Sequence, residues 1–107
     1  NVLAELCKRI NERGYKVGVI ASTGIADPFP FGVTVCKWSS HEQLGNCLYS
    51  WLRELDQVGA NIIFAQTVEE SGLGTAIMNR MRKSAGDKCI FSLDDLEQIL
   101  QALANNL

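Results

Sequence analysis

NIIFAQTVEESGLGTAIMNRMRKSAG, residues 61–86, decides how the chain is read. Its apolar run Ile62-Ile63-Phe64-Ala65 predicts a strand covered on both faces, the pattern of a parallel sheet. An acidic turn with Glu69 and Glu70 follows. Gly72 and Gly74 then bracket Leu73 and open a predicted helix. Along it Leu73, Ile77 and Met81 recur every four residues, as a stripe facing a core does. Arg80, Arg82 and Lys83 fall in the last turns, where cations suit the negative end of a helix, and Gly86 is placed to stop it. Strand, glycine turn and helix make half of a βαβ unit, whose loop is the place where such folds bind ligands.

Upstream, Val2, Leu3, Leu6 and Ile10 share one face of a helix predicted over 2–13, which Gly14 closes. Lys16 to Ala21 reads as a central strand, and Gly18 within it implies a neighbouring helix in close approach. Pro28 and Pro30 make 22–32 a loop. Phe29 and Phe31 in that loop are either a patch for a partner or, more commonly, rings tucked over the sheet edge. A second strand is predicted at Val33–Lys37. Ser39 and Ser40, each three residues before Glu42 and Gln43, carry a capping-box signature. The helix they start shows Leu44, Cys47, Leu48, Trp51, Leu52 and Leu55 at helical spacing and ends near Gly59, and Trp51 on that stripe reads as core. Lys88–Phe91 is a fourth short strand; Ser92 with Asp95 caps a last helix whose apolar face is Leu93, Leu96, Ile99, Leu100 and Leu103, and 104–107 fray. This alternation predicts one α/β domain over 1–107: a small Rossmann-like, three-layer fold with a mainly parallel sheet of three to four strands and helices on both faces.

The 107 residues, with 47 % hydrophobic and 21 % charged, suffice for one core without staples. The net charge of −2 argues against sequence-blind nucleic-acid binding, which needs a basic face. No apolar run reaches the length of a membrane span, and no signal-peptide pattern opens the chain. Opening on Asn1, the chain reads as a fragment, an excised domain or a processed product. Cys7, Cys36, Cys47 and Cys89 form no C-x-x-C pair and His41 is the single histidine, so a zinc site is poorly supported; reduced cysteines in a cytoplasmic protein are expected. Nucleophile-elbow, Walker and H-E-x-x-H motifs do not occur. Gly72-Leu73-Gly74 is a fragment of a dinucleotide fingerprint that fails at Ile77, and Ser22-Thr23-Gly24 is a weak phosphate cradle. No catalytic set is legible.

The stretch LYSWLRELDQVGANIIFAQTVEESGLGTAIMNRMRKSAG resembles the C-terminal domain of the two-domain L-threonylcarbamoyladenylate synthases. Arg53, Glu54, Leu55 and Asp56 match an L-R-E-L-D helix end. Gly72, Gly74, Ala76, Ile77, Met78, Asn79 and Arg80 match a G-L-G-x-A-I-M-N-R block, and KVGVIAS is similar to the family's first strand of this domain. The likeness runs over roughly residues 10–91, is most specific in 48–86, and departs at the tail. It implies a parent enzyme that joins threonine, bicarbonate and ATP, with Mg, into threonylcarbamoyl-AMP and pyrophosphate for modification of a tRNA adenosine. It also implies that the chemistry belongs to an N-terminal domain, whose active site is crossed by the linker to the C-terminal domain. What carries over is a non-catalytic accessory or regulatory domain, with no cofactor of its own and with the catalytic domain as partner in cis or trans. Two alternatives stand beside it: a stand-alone small-ligand or nucleotide-binding module, and a protein-interaction domain pairing through Phe29, Phe31 or the last helix.

The candidate site residues follow. Gly72 and Gly74 are a possible ligand or anion turn, because free N–H groups at a helix start favour an anion, although Glu69 and Glu70 already place negative charge there. Asn79 and Arg80 lie about two turns further on, too far to share that anion, and are expected to contact a loop or partner domain. Arg53 and Asp56 are candidate domain contacts as well, though flanking charges of this kind are more often merely solvated.

Overall fold

A computed structural model describes residues 2–24, 29–30, 32–69, 71–85 and 89–91. In chain order the elements are α1 (Val2–Glu12), β1 (Val17–Ser22), β2 (Thr34–Trp38), α2 (His41–Gln57), β3 (Ile62–Gln66), α3 (Leu73–Ala85) and β4 (Cys89–Phe91). The expected Gly86 stop, Phe31 and the last helix with its Ser92 cap lie outside the described residues. Strand boundaries sit about a residue later than the apolar runs predict.

The sheet has the order β2-β1-β3-β4, and each neighbouring pair is parallel. Alternation along the strands divides the core in two, as a period of two requires. Val17, Val19, Ala21 and Phe64 face α1 and meet Leu3, Leu6, Cys7 and Ile10. Ile20, Cys36, Trp38, Ile63 and Ala65 face the other way and meet Leu44, Leu48 and Leu55 of α2 and Ile77, Met78 and Met81 of α3. The chain is thus α/β with helices on both faces of a parallel sheet. Phe29 is half-buried against the α1 layer with Val33 and Val35, which is the tucked arrangement. Trp51 packs half-buried against the opposite core.

Local chemistry explains the element ends. Ser40, extended at φ −150° and ψ 157°, caps α2: its Oγ accepts from the Gln43 N–H at 3.1 Å. Gln43 Oε1 accepts in return from the N–H and hydroxyl of Ser39, at 2.7 and 2.9 Å, so the box closes one residue before the cap. A cap of this kind contributes about 1 kcal/mol. At the other end of α2, Lys16 Nζ donates to the Val58 carbonyl at 3.2 Å. The Lys16 backbone is locked to Asn61, with its N–H on Oδ1 at 2.9 Å and its carbonyl accepting the Asn61 N–H at 2.9 Å. This clamp aligns the start of β1 with the start of β3.

Gly18 confirms the expected close approach. A Cβ there would stand 2.8 Å from Leu55 Cδ2, so α2 seats this closely on β1 where the strand has no side chain. One expectation is corrected: Leu73 does not join the buried stripe of α3 and is 45 % exposed. The buried side is Gly74, Ile77, Met78 and Met81. At 3.6 residues per turn, a step of four drifts about 40°, so two steps back from Met81 carry Leu73 off the core face.

Candidate functional site

The sequence-predicted residues fall in two places: the turn from β3 into α3 and the outer sides of α2 and α3. In the turn, Gly72 has φ +56°, the left-handed region that glycine enters without penalty. Gly74 serves a different need: a Cβ on it would collide with the Glu69 carbonyl oxygen and stand 3.1 Å from the carbonyl carbon. The turn is tightly hydrogen-bonded by its own backbone. The Ser71 N–H donates to Glu69 at 3.0 Å, Gly74 to Ser71 at 3.0 Å, and Thr75 to Gly72 at 3.2 Å. Behind it the buried Val68 N–H donates to Met78 Sδ at 3.4 Å, a weak acceptor that pins the loop to the helix it precedes.

The C-terminal ends of β1 and β3 flank the point where the strand order reverses, the usual ligand crevice of such sheets. Here it is bridged: the Ser22 N–H donates to Gln66 Oε1 at 2.9 Å. The Thr23 N–H donates to the Trp38 carbonyl at 2.9 Å, tying the Ser22-Thr23-Gly24 turn to the end of β2. Trp38 is 8 % exposed, its indole Nε1 has no acceptor among the described residues, and its ring meets His41 edge-on with centroids 5.5 Å apart. Neither Gln66 nor Trp38 was singled out from sequence as a site residue. Their roles depend on which strand ends become neighbours, which no local pattern encodes.

Asn79 and Arg80 are exposed on α3, and Arg53 and Asp56 are exposed on α2. All four belong to the layer on one side of the sheet, where the two helices touch closely enough that a Cβ on Gly45 would lie 3.7 Å from Ile77. Among the described residues no group of three or more His, Cys, Asp and Glu is placed to hold a metal ion.

A family model described as "Threonylcarbamoyl-AMP synthase, C-terminal domain" matches residues 2–86. The chain belongs to this family. It is 42 % identical over 90 residues to a threonylcarbamoyl-AMP synthase of Pyrococcus abyssi and 30 % identical over 90 residues to one of Bacillus subtilis. Those alignments cover 82 % of this chain but only 25 % and 26 % of the relatives, so the chain spans about a quarter of the length of the curated relatives it matches. A solved structure of a double variant of Pyrococcus abyssi Sua5 superposes with a TM-score of 0.68 at 34 % identity, over 85 % of this chain and 26 % of that one. The family match starts earlier than the expected 10 and ends at Gly86, leaving the predicted last helix beyond it.

Within this synthase domain the glycine block divides cleanly. Gly74, Ile77 and Met78 are buried, whereas Gly72, Leu73, Ala76, Asn79 and Arg80 are exposed. The free thiols of Cys7 and Cys36 are buried on opposite sides of the sheet. Burial pushes Cys7 from 9.0 up to about 12, opposed in part by a backbone hydrogen bond. Burial, and then the negative charge of Glu54, push Cys36 up to about 11. Above pH 9 the unfolded chain releases these protons while the folded chain keeps them, so stability falls as pH rises from 9.0 towards 11–12. Denaturant unfolding at about pH 8 and about pH 10.5 is expected to show this fall, and Cys7→Ala is expected to lessen it by about half, the Cys36 share remaining; an equal fall in the variant would contradict the assignment.

Among the described residues no helix is long and apolar enough to cross a membrane.

Proposed function

We propose that this chain is the accessory domain of a threonylcarbamoyl-AMP synthase and performs no chemistry itself. In this reading the catalytic part, in cis or in trans, joins threonine, bicarbonate and ATP with Mg in the cytoplasm, for modification of a tRNA adenosine. The observation that carries the reading is the match of residues 2–86 to the synthase C-terminal domain, in a chain spanning a quarter of its relatives. Gly72 and Gly74 then serve the fold: the first lets the chain turn, and the second lets α3 slide under the Glu69 carbonyl. Glu69 adds its negative charge to the same turn, which disfavours an anion there. Asn79 and Arg80, with Arg53 and Asp56, form the docking contacts towards the catalytic part. They project from the layer whose inner side is already spent on core packing.

The test has two arms. The purified 107-residue chain is expected to release no pyrophosphate in the presence of ATP and threonine, and release at a synthase-like rate would overturn the non-catalytic reading. Arg80→Ala is expected to leave the isolated domain within about 0.5 kcal/mol of the parent sequence, as exposed substitutions usually do. The same change in a full-length synthase carrying this domain is expected to lower activity. Unfolding of the isolated variant would make the role of Arg80 internal and end the docking proposal.

A further inference from the structure

We draw no further inference here: the strongest candidate, the N-terminus of α2 at the C-terminal edge of the sheet beside the buried Trp38 Nε1, which has no acceptor among the described residues, carries nothing because nothing in the structure shows that this N–H is directed at the helix terminus rather than into the core.

Discussion

Leu55→Ala is expected to destabilise the domain by about 4 kcal/mol, within the range for truncating a buried leucine in a close-packed core. Leu55 is fully buried at the end of α2, with its methyl groups over the bare backbone of Gly18 in the central strand β1. Removing the isopropyl end of the side chain opens a void that neither the strand nor the helix can collapse into cheaply. The Lys16–Asn61 and Lys16–Val58 bonds hold both partners at that end. The contact also predicts coupling. Gly18→Ala alone should destabilise by about 1–2 kcal/mol, because the flexible end of Leu55 must shift away from the new methyl. In the double variant that methyl enters the space Leu55 has left. The combined loss should then fall short of the sum by about 1 kcal/mol, since residues in contact do not add. Urea unfolding of the four proteins measures this directly; strict additivity would show that the two residues do not touch.

Gly74→Ala should cost about 3 kcal/mol, the upper end of what overpacking usually does. The obstacle is a backbone carbonyl, that of Glu69, and a backbone cannot swing aside as a leucine methyl can. Relief would require breaking the turn, including the Ser71 and Gly74 hydrogen bonds that hold it. Gly72→Ala is the informative comparison. No described residue lies within 4 Å of a Cβ at Gly72, so its expected cost is that of a left-handed φ, about 1 kcal/mol. Gly72→Asn should cost less still, because asparagine tolerates that region. Equal losses at the two positions would mean that the collision with Glu69 is absorbed. A larger loss at Gly72 would mean that the turn, not the close approach, limits the fold.

Much of this architecture is legible from residue patterns, and the reasons differ by element. The run Ile62-Ile63-Phe64-Ala65 has no polar alternate, which only a strand covered on both sides tolerates, and the structure covers it with α1 on one side and α2 and α3 on the other. Ser40 and Gln43 announce α2 because capping is a local exchange of hydrogen bonds, complete within four residues. Gly18 is legible as a gap, yet the sequence does not say that Leu55 fills it, for that contact spans 37 positions and depends on the sheet order. The α3 stripe was misplaced by one residue at its start. Leu73 carries an apolar side chain and Gly74 carries none, but Gly74 is the position that turns inward. The four-residue spacing points to the larger residue, and the close packing under Glu69 requires the smaller.

The candidate site was less legible. Gly72, Gly74, Asn79 and Arg80 stand out as a block, and that block carried the family assignment. The split between its buried and exposed halves emerges only when α3 is placed on the sheet. Gln66 and Trp38 lie at strand ends with no motif around them. Their relevance comes from Ser22 and Thr23 arriving beside them, which is a property of the strand order.

The sheet lies between two unlike layers, and among the described residues each encloses one buried thiol, while Cys47 on α2 is half-buried. Cys7 lies on the inner face of α1, the one helix on its side among the described residues, while Cys36 sits with the paired helices α2 and α3. Native alkylation therefore reads two separate breathing motions in one molecule. Labelling of Cys7 clocks the lifting of a single eleven-residue helix, and labelling of Cys36 clocks the parting of the larger block. A catalytic partner that seats on α2 and α3 would slow the second clock and leave the first running, so a pair of reaction rates would report which side of the domain is gripped.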